Sequence, residues 1–247
     1  MHPLPEGAPH WTQGYRALDL SEQRAIHFAL EQLGDYAELW YRLIDLYVRG
    51  LHGETTVEDE EMRQPWEARS ELLGLALGNS KAALDMALAG YYSASYGLIR
   101  HLLETWEHVA FIRLEPDTAI AWYQQEGKQS ERKFEPGDNP RRKRLRREKT
   151  LKGHLKIVER FWEEMSNGAH PTGKGLVQTM GESAGRHVLG ANFQRNMALL
   201  ALDSGAYANL LLLTEIVQLR PKDENWIQQL DDVLRRRAEL HKIHAPD

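Results

Sequence analysis

Cysteine is absent from this 247-residue chain, which excludes disulfides, thiolate-bound zinc and thiol nucleophiles. The opening residues lack a basic segment followed by an apolar run, so no secretory signal is read and a reducing, cytoplasmic setting is the expectation. Positive charge is not in excess: the formal net charge is -5, so any attraction to nucleic acid must be local. Glu-x-x-His occurs nowhere, which removes the pattern of carboxylate-bridged di-iron bundles. No fixed-period repeat argues for a solenoid. One long apolar run exists, Met197 to Leu219, and Asp203, Asn209 and Glu215 interrupt it. A buried helix, or one covering a subunit interface, fits that run better than a membrane span, and no membrane partner is expected.

What is present reads as helix. A hydrophobic content of 42% supports a real core. Pro3, Pro5, Gly7, Pro9 and Gly14 punctuate residues 1–18, which read as a flexible arm, and residues 19–247 read as one domain. From Ser21, a candidate cap, apolar residues Ile26, Leu30, Leu33, Ala37, Trp40, Ile44 and Tyr47 recur at three or four. Pro65 suits the first position of a second helix, apolar on most sides from Leu72 through Leu75 to Leu88, with Gly78-Asn79 as a candidate kink. Gly90 makes a tight turn into a third helix whose stripe is Tyr92, Tyr96, Ile99, Leu103, Trp106 and Ala110. A short helix from Asp117 to Tyr123 and a loop from Lys128 to Asn139 follow. Pro140 then opens a helix carrying Leu145, Leu151, Leu155, Val158, Trp162 and Met165. Glycines punctuate His170 to Asn192, with a short extended piece expected at Leu176 to Met180. The last helix, from Asp223, places Trp226, Ile227, Leu230, Val233 and Leu234 inward. The expectation is an all-α bundle of six to seven helices.

Three clusters carry chemistry. Arg100 and Glu104 lie one turn apart, as an ion pair would. His101, Glu104 and His108 share a side and are weak candidates for metal ligation, although intrahelical pairing of exposed groups explains them more simply. His170 precedes Pro171, which holds its backbone extended and suits a general base or a partner for Arg100, while a helix cap and turn is the simpler role of that loop. The run Arg141, Arg142, Lys143, Arg144, Arg146 and Arg147 is the strongest local charge. It is a candidate nucleic-acid surface by counterion release, or a surface for an acidic protein patch such as Glu58 to Glu61 of a second copy. A solvated helix face is the commoner use of such a run.

The turn Gly90-Tyr91-Tyr92-Ser93-Ala94, followed by a helix bearing Glu104, resembles the HEPN superfamily of small helical bundles. The pairing of Leu98-Ile99-Arg100-His101-Leu102-Leu103-Glu104 with Ser166-Asn167-Gly168-Ala169-His170-Pro171 is similar to uncharacterised bacterial families of HEPN-like type. The resemblance spans residues 65–220 and implies an HEPN-like core, with Arg100, Glu104 and His170 as a common polar site. It also implies a homodimer, through a helix such as Leu210 to Leu219, and an association with RNA. HEPN ribonucleases carry an Arg, four to six residues and a His; here Arg236 and His241, or Arg147 and His154, have that spacing, and Arg237 or Glu148 stands where the family usually has a polar Asn or Asp. The functional expectation is therefore an RNA-associated binding or interaction protein. Its alternatives are a metal-independent ribonuclease and a metal-binding bundle enzyme. No cofactor is expected.

Overall fold

A computed structural model of the chain describes residues 12–52, 60–117, 140–169, 191–219 and 224–244. These contain seven helices and no strand: α1 Thr12–Leu51, α2 Glu60–Leu88, α3 Tyr92–Leu114, α4 Pro140–Arg147, α5 Lys152–Ala169, α6 Arg195–Leu219 and α7 Glu224–His244. The all-α bundle follows from the three-to-four spacing of apolar residues, which gives each helix one face to bury.

The centre of the bundle is α6. Its 17 buried residues include the whole stretch Ala201 to Leu213, and α1, α2, α3 and α7 all pack on it. Leu210, Leu211, Leu212, Leu213, Ile216 and Leu219 are therefore used up inside this chain. That corrects their expected use as a subunit face, because the neighbouring helices already cover them. The helix is long and apolar enough to cross a membrane by length and composition, and most of that stretch is enclosed by the bundle. Gly205 lets α1 approach: a Cβ there would lie 1.9 Å from the Trp40 ring. Trp40 is fully buried and donates from Nε1 to Ser80 Oγ at 3.0 Å, tying α1 to α2.

The turn between α2 and α3 forms as its glycine predicts. Gly90 has φ +83, its N–H donates to Ala87 O, and Tyr91 N–H donates to Met86 O at 2.8 Å. This paired C-cap satisfies two orphan carbonyls and reverses the chain, so α3 packs back along α2. Asn192 O would stand 2.7 Å from a Cβ at Gly90, so the close approach also demands glycine. All six expected stripe residues of α3 are buried.

Several local expectations need correction. Helix α1 begins at Thr12, inside the expected arm and nine residues before Ser21, and breaks at Leu33 rather than staying regular. Leu30 is exposed, which places it off the buried stripe. Helix α2 starts at Glu60, so Pro65 lies inside it and removes one early hydrogen bond. No break occurs at Gly78-Asn79. Leu75 and Leu234 face outward, at 64% and 41% exposure. The helix expected from Pro140 through Met165 is two, because Leu151 N–H and Lys152 N–H turn back onto Glu148 O. Residues 1–11, most of the Asp117 to Tyr123 helix, the Lys128 to Asn139 loop and the Leu176 to Met180 piece lie outside the described residues.

Candidate anion-binding cleft

The break between α4 and α5 decides what the basic run does. It lays α4 against α3 and turns Arg141 and Arg142 inward, where they are 2% and 8% exposed. Both reach Glu107, a fully buried carboxylate on α3. Arg142 Nε donates to its two oxygens at 3.0 and 3.1 Å, and Arg141 Nη2 lies 3.2 Å from Oε2. Further along the run, Arg144 pairs with Glu115 and Arg146 with Glu159. The run therefore does not form one continuous cationic face: four of its charges are directed at carboxylates of this chain. Lys143 and Arg147 point outward.

Beside Glu107 opens a cleft of about 650 Å³, lined by Leu72, Arg100, His101, Glu104, Thr105, His108, Arg141, Arg142, Trp162 and Ser166. Helix α3 supplies Arg100, Glu104 and His108 at one-turn spacing, and α5 supplies Trp162 and Ser166. Arg100 does not pair with Glu104. Its guanidinium lies over the Trp162 ring, 4.4 Å from the centroid, and Arg142 lies over the same ring at 4.6 Å. The Arg100 Nε and Trp162 Nε1 donors are buried and meet no acceptor among the described residues. Glu104 instead receives His101 Nδ1 at 3.4 Å, near the outer edge where His101 is two-thirds exposed.

His108 sits deeper. Burial, and secondarily the Arg141 charge, push its pKa from 6.5 down to about 2, so the imidazole is neutral. The cleft therefore presents three guanidiniums against the carboxylates of Glu104 and Glu107. Donors outnumber acceptors on its walls, which is the polarity that receives an anion.

Among the described residues no group of three His, Asp or Glu is arranged to hold a metal ion. His101 and His108 of the weak metal set differ sharply in depth, one exposed and one enclosed. His170 lies outside the described residues; Ser166, expected to open its loop, lies instead within α5, which runs to Ala169, and lines the cleft.

The ribonuclease-like spacings go elsewhere. Arg236 lies 2.9 Å from Asp35 and 3.3 Å from Glu239, both on exposed surface. His241 faces Asp203 at 3.5 Å, and that carboxylate is shared with Arg237 at 2.8 Å. Residues four apart on a helix share a face, so Arg237, and not Arg236, accompanies His241. Arg147 is exposed, while His154 meets Tyr207 Oη at 2.8 Å, and burial lowers its pKa.

Glu107, beside the cleft, and Thr105 and Trp162, on its wall, are not singled out as polar chemistry by the sequence. Glu107 carries a signal: it falls four after Leu103 and three before Ala110, on the buried stripe, where a carboxylate needs cations. Trp162 carries none, since an aromatic at helical spacing is ordinarily core. The chain matches no family model, no curated protein and no solved structure.

Proposed function

We propose that the protein is a binding module of HEPN-like type whose cleft between α3, α4 and α5 captures a phosphoryl group, carried by RNA or by a small phosphorylated molecule. One observation carries the reading. Arg100 is a cation at the wall of a cleft, stacked on Trp162, and its Nε and the indole N–H are both unused. Arg100 pairs with no carboxylate among the described residues, so an anion entering the cleft meets an uncompensated guanidinium charge at its wall. Arg141 and Arg142 add positive potential from behind, anchored on Glu107. A volume of about 650 Å³ is in the range of small-ligand sites.

Calorimetric titration with inorganic phosphate, pyrophosphate and a short oligoribonucleotide tests the reading. Saturable binding of at least one is expected. Arg100→Met, which keeps bulk and removes charge, weakens it by about tenfold to a hundredfold, the worth of a charged hydrogen bond. Binding of phosphate and pyrophosphate alone assigns a small molecule, and tighter binding of the oligonucleotide assigns RNA. Absence of binding to all three, or an unchanged Arg100→Met, overturns the reading.

The ribonuclease reading has less behind it, since Arg236 is engaged by Asp35 and Glu239 and stands apart from His241. The metal reading lacks three converging ligands among the described residues. A homodimer remains a proposal tested by sedimentation, with its face elsewhere than Leu210 to Leu219.

A further inference from the structure

Arg100 and Glu104 line the same cleft from adjacent turns of α3, about 6 Å apart along the helix axis, yet neither is spent on the other. Stacking draws the Arg100 guanidinium toward Trp162 on α5, 4.4 Å from the ring centroid. Among the described residues, Glu104 is left with His101, 3.4 Å away on the same helix and two-thirds exposed. An ion pair that open to water is weak and easily exchanged. The Glu104 side chain is itself one-third exposed, so its carboxylate can be reached by a ligand.

The wall thus offers a cation and an anion side by side, and a ligand that answers both carries both signs. The charge of the cleft points the same way. Arg100, Arg141 and Arg142 supply three positive charges, Glu104 and Glu107 two negative ones, and one positive charge is left over. A phosphomonoester bearing an ammonium group has a net charge of about -1 near neutral pH, which matches that excess. A plain phosphomonoester exceeds it, and a zwitterionic phosphodiester falls short of it. The cleft, at about 650 Å³, is also larger than a bare phosphate ion requires.

Resting on the reading of this cleft as a phosphoryl site, we infer that its ligand is an amino-bearing phosphomonoester, with the phosphoryl group against Arg100 and the ammonium group, across a short alkyl bridge, against Glu104. The ammonium displaces His101 from the carboxylate.

The test is calorimetric titration of the full chain with phosphoethanolamine, ethyl phosphate, glycerophosphoethanolamine and a short oligoribonucleotide. Phosphoethanolamine is expected to bind about fivefold to tenfold tighter than ethyl phosphate, which lacks only the ammonium group, the gain from one half-exposed charged hydrogen bond. Glycerophosphoethanolamine, a diester of lower negative charge, binds more weakly than phosphoethanolamine. Glu104→Gln brings the first two affinities together, weakening phosphoethanolamine and strengthening ethyl phosphate, whereas Arg100→Met weakens both. Absence of binding to all four removes the phosphoryl reading and this inference with it. Ethyl phosphate bound as tightly as phosphoethanolamine leaves the phosphoryl reading standing and overturns the inference alone. So does a Glu104→Gln protein, shown folded by circular dichroism, that keeps the parent's preference. Tighter binding of glycerophosphoethanolamine or of the oligoribonucleotide assigns the cleft to a phosphodiester and likewise overturns it.

Discussion

Glu107 and Glu215 are both buried carboxylates, each facing two arginines, and the contrast between them separates architecture from a site. Glu215 on α6 receives Arg113 Nε at 2.9 Å and Nη2 at 3.0 Å, with Arg69 Nη2 at 3.4 Å. It knots α2, α3 and α6 together. Arg113 is a quarter exposed there, so its charge still reaches water. Glu107 is completely enclosed, its two arginines are 3% and 10% exposed at their side chains, and a third, Arg100, stands beside them on an open cleft. The first cluster relieves its excess charge through solvent. The second holds its excess beside space that a ligand can enter.

The largest expected effect breaks the comparison directly. Glu107→Ala strands two buried guanidiniums and costs about 3 to 5 kcal/mol in urea denaturation, the range for one-sided removal of a buried pair. Glu215→Ala costs less, because Arg113 can turn further into water. A Glu215→Ala loss equal to or above that of Glu107→Ala would show that burial depth is not the difference.

Next in size is rescue by ligand. Phosphate at a hundred times its dissociation constant adds about 2.7 kcal/mol by mass action. Glu107→Gln raises the net positive charge of the cleft, so its melting temperature responds to lower phosphate concentrations than the parent's. Glu215→Gln responds as the parent does. Identical phosphate curves for both variants would dissolve the distinction.

Proton linkage comes third. His108 ionises near 6.5 when unfolded and near 2 when folded. Below pH 6.5 the unfolded chain binds a proton that the folded chain refuses, so stability falls as pH falls, by up to about 1.4 kcal/mol per pH unit for this group. Replacing His108 with Gln flattens that part of the profile between pH 6.5 and 5, measured by chemical denaturation, whereas Arg69→Met leaves the slope intact. Smallest is Trp162→Phe, which retains a ring under Arg100 and Arg142 but removes the indole N–H. Phosphate affinity drops about threefold with little change in stability, in keeping with one neutral donor.

Helix positions were legible where periodicity and punctuation agreed. The α3 stripe and the Gly90 turn could be read from residue spacing, since only glycine relaxes at φ +83 and apolar residues every three or four make one face. The break at Glu148 to Leu151 was not legible, because no glycine or proline marks it; it is imposed by the packing of α4 and α5 on α3. With that break unseen, Arg141 and Arg142 looked like part of a solvated face. Of the proposed site, Arg100 and Glu104 were readable as polar groups in a core helix, but their expected pairing gave way to Trp162 and His101, whose positions depend on side-chain packing across helices.

By itself, the sequence determined that this chain is helical, that thiol chemistry is closed to it, and that α6 is its most apolar element, since composition and short-range spacing act through neighbours along one helix. Only the tertiary structure decided which charges are spent on one another. Whether an arginine faces water, a buried Glu107 or an open cleft depends on residues tens of positions away, and no local pattern encodes that distance.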